Sequence, residues 1–101
     1  MNLSGKIVIM TGASRGIGAA SAKEFAQKGA IVILAAQDEQ KLAHVAREIG
    51  SAARVHVLNI AKPEQVEKMI SQTLNEFGKI DIVVNNACLL YTSDAADDQL
   101  G

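Results

Sequence analysis

A glycine-rich turn directly after an apolar run constrains the fold of this chain more than any other feature. Residues 7–10 (IVIM) are apolar, residues 11–18 read TGASRGIG, and an amphipathic segment then continues to Gly29. A buried strand, a glycine turn and a helix N-terminus in this order form a phosphate-binding site, because the unpaired N–H groups of the first helical turn face the anion. The order of these three parts therefore predicts a phosphate-binding turn.

Each glycine of the turn has a distinct physical role in this prediction. Gly12 allows the chain to turn sharply off the strand, Gly16 leaves the backbone open to a pyrophosphate, and Gly18 lets the helix pack closely on the strand. Arg15 can add a direct positive charge. An ordinary strand-to-helix loop with incidental glycines is the alternative, and the rest of the chain has to decide between them.

Apolar runs alternate with helix-like segments along the chain. The runs are residues 7–10, 30–36, 55–58 and 80–84, and the helix-like segments cover about 15–28, 38–49 and 63–77. The runs are rich in Ile and Val and largely continuous, which is typical of parallel strands covered on both faces. The β-α-β-α-β-α-β order predicts an α/β fold with a Rossmann-like, doubly wound parallel sheet, truncated to about four strands in the order 3-2-1-4 and three helices. In this setting an incidental loop explains residues 11–18 poorly.

The ends of the second and third helices carry recognisable signals. Asp38 is the predicted N-cap of the second helix, and Pro63 suits the first turn of the third. Glycines end both helices, at Gly50 and Gly78. The third helix has an apolar stripe at the helical period, formed by Val66, Met69, Ile70, Thr73, Leu74 and Phe77.

Length and composition limit the possible partners. The chain has 101 residues, enough for one small domain, and a formal net charge of −1, which gives no basis for binding nucleic acid or an anionic membrane surface. No apolar run reaches the roughly 18 residues that cross a bilayer, and the N-terminus lacks the layout of a signal peptide. The single cysteine, Cys88, cannot form an intramolecular disulfide, and a cytoplasmic location is expected. His44 and His56 lack a third ligand at suitable spacing, so no metal site is predicted.

Three segments give the chain a resemblance to a known family. Residues 11–18 have the spacing Thr-Gly-x-x-x-Gly-x-Gly, residues 3–6 read LSGK before the first strand, and residues 78–87 read GKIDIVVNNA. They resemble the cofactor motif, the usual opening, and the lead-in to the Asn-Asn-Ala-Gly motif of the classical short-chain dehydrogenase/reductase (SDR) family. The resemblance covers residues 2–87 and implies a partial NAD(P)-binding Rossmann domain over residues 1–87. It also implies an NAD- or NADP-linked oxidoreductase acting on an alcohol or carbonyl, whose full-length parent is a homo-oligomer.

The resemblance further implies which residues contact the nicotinamide dinucleotide. In family members the glycine motif wraps the diphosphate, the third strand leads to the adenine contact, and the fourth strand ends beside the ribose. The implied cofactor-binding residues are Gly12, Ser14, Arg15, Gly16, Ile17, Gly18, Gln37, Asn59, Ile60, Asn85, Asn86 and Ala87. At Asn59 the family usually has Asp, and an amide can still donate and accept hydrogen bonds there.

The end of the second strand favours NADP(H) over NAD(H). Domains that prefer NAD generally place a carboxylate there, on the ribose 2′-OH, and this strand ends in Ala36 and Gln37. Asp38 comes one position later and is better explained as a helix cap. Arg15 matches a position where NADP-preferring family members have a basic residue. Gln37 stands where those members usually have Arg, and this difference argues against a preference for NADP(H).

The resemblance stops after Ala87. The family motif requires Gly next, and the chain instead has Cys88 followed by LLYTSDAADD at residues 89–98. Residues 88–98 match one reading-frame translation of a transposase-type DNA library adapter. Residues 88–101 are therefore expected to be a non-native or disordered tail, with a divergent natural C-terminus as the alternative.

No catalytic residue is assigned. Family catalysis uses a Tyr with a Lys four residues later, but Tyr91 is the only Tyr of the sequence and Ala95 stands four residues after it. A phenol, with an ordinary pKa of about 10, needs a nearby cation to act at neutral pH. The chain alone is expected not to catalyse hydride transfer, and a non-catalytic dinucleotide-binding module is the alternative function.

With its fourth strand at a sheet edge, the isolated chain is also expected to be poorly soluble or only partly folded.

Overall fold

The computed structural model describes residues 2–86, so the predictions made for Ala87 and for residues 88–101 lie outside this part of the chain. Strands and helices alternate as β1 (Ile7–Thr11), α1 (Gly16–Gln27), β2 (Ile31–Ala36), α2 (Glu39–Ile49), β3 (Ala53–Val57), α3 (Pro63–Phe77) and β4 (Ile82–Asn85). The alternation predicted from the apolar runs is confirmed. No helix among residues 2–86 combines the length and apolar character needed to cross a membrane.

The strands form one parallel sheet in the order β3-β2-β1-β4. In its interior, Met10 of β1 lies opposite Leu34 of β2 on one side and Val84 of β4 on the other. The chain moves outward from β1 to β3 and then crosses back to β4, so the carboxyl ends of β1 and β4 lie side by side where the strand order reverses. The predicted order 3-2-1-4 is confirmed, and the reversal point is where such folds bind ligands.

Both faces of β1 and β2 are buried, which explains why their sequences are continuously apolar. One face packs against buried residues of α1 and α2, among them Ala19, Ala22, Leu42 and Val45. The opposite face, formed by Ile7, Ile9, Ile33 and Ala35, packs against Met69 of α3. The sheet is therefore the middle layer of three and positions every loop at its carboxyl edge.

Helix α3 buries a narrower stripe than its sequence period indicates. The positions that face the sheet are Val66, Met69, Thr73 and Phe77. Ile70 and Leu74 remain 37% and 44% exposed, on a flank of α3 that no element among residues 2–86 covers. Periodicity identified the helix correctly but not the width of its buried face.

Strand β3 begins before its apolar run, at Ala53 rather than Val55. The strand includes the charged residue Arg54, which is why its start was not recognised in the sequence. Arg54 Nε donates to Glu76 Oε2 at 2.9 Å. Its guanidinium also lies over the ring of Phe77, 5.4 Å from the centroid. A charged side chain suits an edge strand, which reaches solvent, so a search for apolar residues alone misplaced the boundary.

Asp81 connects the start of β4 to the start of β1. Its backbone N–H donates to the Ile7 carbonyl at 2.9 Å, and its Oδ2 accepts the Ile7 N–H at 2.8 Å. Lys79 Nζ lies 3.3 Å from the same Oδ2. The hydrogen bond from Ile7 is the main cause that lowers the pKa of the Asp81 carboxyl; desolvation opposes it, and Lys79 adds to the lowering. The charged interruption in the fourth apolar run is thus a residue that aligns two strands.

We expect Asp81→Asn to lower the melting temperature at neutral pH. We also expect the melting temperature of this variant to fall less than that of the parent as the pH is lowered. Because the folded pKa lies below the unfolded one, the carboxylate stabilises the fold above the unfolded pKa, and this contribution disappears as pH falls through the folded pKa. The melting temperatures of the parent and the variant should therefore approach each other as the pH falls from about 7 to about 3. Glu67→Gln, at an exposed carboxylate of α3, is the control. An offset for Asp81→Asn that is constant with pH would contradict this account.

The edge of β4 is expected to drive self-association of the 101-residue chain. Within residues 2–86 this strand has a neighbour on one side only, and Val83 is 61% exposed. An exposed apolar edge strand pairs readily with other chains, and a lysine there opposes such pairing. Val83→Lys should therefore shift sedimentation profiles toward monomer. Ile17→Lys adds the same charge at a 74% exposed position that belongs to helix α1 and not to an edge strand, and should have a smaller effect. Equal effects of the two variants would show that exposed apolar surface in general, and not the edge of β4, causes the association.

Candidate functional site

The glycine turn joins β1 to α1 at the carboxyl edge of the sheet. Gly12 and Gly16 have positive φ angles of 64° and 60°, which residues with side chains rarely adopt. Arg15 is the N-cap residue in an extended conformation, and its side chain makes no capping hydrogen bond. A helix N-terminus without a side-chain cap suits an external anion, because its first N–H groups need acceptors.

Gly18 lies against the backbone at the end of β1. A Cβ at this position would be 2.0 Å from the carbonyl oxygen of Gly12 and 3.0 Å from Asn86 Nδ2. Only glycine fits without displacing α1, since the closest atom belongs to the main chain. By contrast, a Cβ on Gly16 would point into open space, which leaves the turn accessible from outside.

Two polar contacts join the glycine turn to the end of β4. The Thr11 hydroxyl donates to Asn85 Oδ1 at 2.9 Å, and Asn86 Nδ2 donates to the Gly12 carbonyl at 3.4 Å. Each contact spans 74 positions of sequence. The two segments that carry the family resemblance are therefore parts of one structural unit.

A cavity of about 590 Å³ opens above this unit. Eight of the predicted cofactor-binding residues line it: Gly12, Ser14, Arg15, Gly16, Ile17, Gln37, Ile60 and Asn86. They come from the β1–α1 turn, the end of β2, the loop after β3 and the end of β4. The structure thus brings together residues that were selected separately in the sequence. Their contacts with a dinucleotide stay a prediction.

Three other predicted residues lie beside the cavity rather than in its wall. Gly18 packs beneath the turn, as described above, and Asn85 accepts the hydrogen bond from the Thr11 hydroxyl. The backbone N–H of Asn59 donates to Gln65 Oε1 at 2.7 Å, and Asn59 Oδ1 accepts the Ala61 N–H at 2.9 Å. The Asn59 side-chain oxygen Oδ1 is therefore used within its own loop, and Leu58 and Ile60 form the adjacent wall. Ala87 lies outside the described residues.

Sequence reasoning missed several lining residues. They are Thr11, Ala35, Ala36, Asp38, Lys41 and Leu58. Thr11, Ala35 and Ala36 could have been found, since they end two parallel strands that meet at the same edge. Lys41 carries no such signal, because it lies in the first turn of α2, outside any strand end or motif.

The carboxylate nearest the end of β2 belongs to Asp38 and already accepts a hydrogen bond. Asp38 Oδ1 accepts the backbone N–H of Lys41 at 3.0 Å, which confirms Asp38 as the N-cap of α2. Gln37 provides a neutral amide in the cavity wall. The charged residues of the wall are therefore Arg15, Asp38 and Lys41.

The two histidines lie away from this cavity. His44 Nε2 is 3.4 Å from Glu48 Oε2 on the same helix, and His56 belongs to edge strand β3. Burial lowers the pKa of His56, and the Glu76 carboxylate partly opposes this. Among residues 2–86, no group of three or more His, Cys, Asp or Glu side chains is placed to hold a metal ion.

Together, the strand order and the glycine turn define a doubly wound α/β domain of the dinucleotide-binding class. The family model described as short chain dehydrogenase matches residues 6–100. The chain belongs to this family.

Known proteins with similar sequences and structures agree with this assignment. The chain is 43% identical over 96 residues to 11-beta-hydroxysteroid dehydrogenase A of Sesamum indicum, covering 91% of this chain and 28% of that protein. It is similar to the crystal structure of a Brucella melitensis 3-ketoacyl-(acyl-carrier-protein) reductase complexed with NADH, with a TM-score of 0.77, 39% identity, and coverage of 81% and 34%. A metagenomic short-chain oxidoreductase in complex with NADP gives a TM-score of 0.77, 38% identity, and coverage of 80% and 38%. The chain therefore spans between 28% and 38% of the length of these proteins.

We expect Gly18→Ala to destabilise the fold although alanine favours helices. Replacing glycine by alanine inside a helix normally stabilises by about 0.5–1 kcal/mol. Here the methyl group would be 2.0 Å from the Gly12 carbonyl oxygen, so α1 has to shift. Such overpacking costs about 1–3 kcal/mol, measurable by urea unfolding.

The matched control for Gly18→Ala is Ala20→Gly, at an exposed position of the same helix. It should cost about 1 kcal/mol from helix propensity alone. A Gly18→Ala chain as stable as the parent would show that the close approach of α1 to β1 is not required.

Proposed function

We propose that this chain is the cofactor-binding part of an NAD(P)-dependent oxidoreductase that transfers a hydride between the nicotinamide and an alcohol or carbonyl. The observation that carries this proposal is the glycine turn closed by Thr11–Asn85 and Gly12–Asn86 contacts around one cavity. Family membership supports the same activity, and the two similar solved proteins are described as complexes with NADH and with NADP.

The residues present fit a dinucleotide. The turn provides positive-φ glycines, an open position at Gly16 and a helix start that no side chain caps, which are the requirements for holding a diphosphate. The apolar wall of Leu58 and Ile60 suits an adenine ring. Gln37 lies at the end of β2, where such domains place the adenosine ribose.

The chain's own contribution is to bind and orient the cofactor. The nicotinamide supplies or accepts the hydride when it is bound. Backbone N–H groups in the first turn of α1 would donate hydrogen bonds to the diphosphate, and the buried sheet beneath the turn keeps these donors in place. Asn86 donates to the Gly12 carbonyl at 3.4 Å, which fixes the conformation of the turn that holds the diphosphate.

We further propose that these 101 residues alone bind the cofactor without turning over a substrate. The single tyrosine of the sequence, Tyr91, is followed four positions later by Ala95 rather than Lys. Without that cation a phenol does not act as an acid or base at neutral pH. The same observation favours the second candidate function, a dinucleotide-binding module without catalysis.

The substrate is proposed only as a class. One similar protein is named a hydroxysteroid dehydrogenase and another a ketoacyl reductase, so the reacting groups in these names are a hydroxyl and a ketone. The common requirement is a secondary alcohol or ketone, and we propose this class for the whole protein. A homo-oligomeric, cytoplasmic parent is part of the same proposal.

The cofactor is proposed to be NADP(H) rather than NAD(H). Arg15 lines the cavity, and the residues at the end of β2, Ala36 and Gln37, provide no carboxylate for a ribose 2′-OH. An arginine favours a phosphate. Both features support selectivity for the 2′-phosphate.

We expect the 101-residue chain to bind NADPH more tightly than NADH, and Arg15→Ala to weaken NADPH binding. Loss of one charge-assisted hydrogen bond should raise the Kd for NADPH about tenfold and leave the Kd for NADH almost unchanged. Cofactor fluorescence titration measures both constants. Arg47→Ala is the control, because Arg47 is exposed in the last turn of α2 and does not line the cavity. Equal affinities for the two cofactors, or no effect of Arg15→Ala, would contradict NADP selectivity.

A further inference from the structure

We propose that Lys41 is a second determinant of 2′-phosphate selectivity and that it makes the net charge of the cavity wall positive. This inference rests on the proposed function, because it assigns a role within the dinucleotide site. Lys41 belongs to the first turn of α2 and carries no motif in the sequence. The structure places it in the same cavity wall as Arg15 and Gln37.

The position of Lys41 leaves its ammonium group available to a ligand. Its side chain is 55% exposed, and Nζ lies 4.0 Å from Asp38 Oδ2, at the outer limit of an ion pair. A loose pair in solvent contributes little stability, so moving Nζ from Asp38 toward a phosphate costs little. A lysine side chain also has the length and flexibility to make that movement.

Asp38 makes this lysine necessary. The Asp38 carboxylate lies in the cavity wall and is held there, because its Oδ1 accepts the Lys41 N–H at 3.0 Å. A 2′-phosphate carries a charge of about −1.5 to −2 near neutral pH, so a fixed carboxylate at the same end of the cavity repels it. The residue that caps α2 therefore opposes NADP binding unless a cation offsets it.

The balance of charges in the wall depends on Lys41. Arg15 and Asp38 together sum to zero, and Lys41 brings the sum to +1. Without Lys41, the attraction between Arg15 and a phosphate would be offset by Asp38. With it, the net positive charge of the wall attracts a dianion. Lys41 thus favours NADPH over NADH.

The test compares Kd values for NADPH and NADH on the 101-residue chain and its Lys41→Met and Lys41→Arg variants. We expect Lys41→Met to lower the ratio of Kd(NADH) to Kd(NADPH) about five- to tenfold, mainly through weaker NADPH binding, and to reduce its salt dependence. Lys41→Arg should keep most of the ratio. Lys28→Met removes a Lys–Glu pair at the C-terminal end of α1, where Nζ lies 3.2 Å from Glu24 Oε2 and outside the cavity wall, and should leave the ratio unchanged.

A second variant separates the charge argument from a role of Lys41 in folding. Asp38→Asn keeps an N-cap residue and removes the repelling charge. In the Lys41→Met background it should restore much of the NADPH affinity, while a merely structural lysine would give no such rescue. Thermal unfolding of each variant, monitored by circular dichroism, shows whether the fold is retained.

The outcomes distinguish this inference from the proposed function. If Arg15→Ala changes the cofactor ratio and Lys41→Met does not, or if Lys41→Met weakens both cofactors equally, the role of Lys41 is overturned and NADP selectivity stands. Absence of binding of either cofactor to the parent chain overturns both.

Discussion

Strand β1 has hydrogen-bonded partners along both edges and helices over both faces, and the candidate site depends on that position. Pairing with β2 and with β4 brings three strand ends to one edge of the sheet. The turn after β1 therefore meets Asn85 and Asn86, which lie 74 positions away from their partners Thr11 and Gly12. Asp81 makes the corresponding connection at the other end of β1, through two hydrogen bonds to the backbone of Ile7. Strand β1 is thus held at both of its ends by β4 and the residues that flank it.

The close approach of α1 to β1 is the second constraint on the site. At Gly18 the helix lies so near the Gly12 carbonyl that a methyl group has no room. This contact aims the start of α1 at the cavity, where its N–H groups can meet a diphosphate. The packing beneath the turn and the proposed anion site above it therefore depend on the same short distance.

Much of the fold could be predicted because parallel strands covered on both faces leave a strong signal. The continuous runs of β1 and β2 and the caps Asp38 and Gly78 were read correctly. The start of β3 was predicted too late, because Arg54 belongs to the strand: β3 is an edge, and Glu76 pairs with Arg54. The helical period of α3 did not tell which of its apolar residues are buried, and Ile70 is exposed because no element within residues 2–86 covers its flank. Local patterns do not report which neighbours are present.

The sequence by itself determined the order of elements, the glycine turn and its place after a buried strand, because these follow from local patterns of apolar and glycine residues. It also identified most of the residues that line the cavity. Only the tertiary structure decided how Thr11 and Asn85 meet, that the Asn59 side-chain oxygen Oδ1 is used in its own loop, and that Lys41 shares a wall with Arg15. Those facts depend on how segments distant in sequence approach each other and on the direction of each side chain, and neither is written in a local pattern.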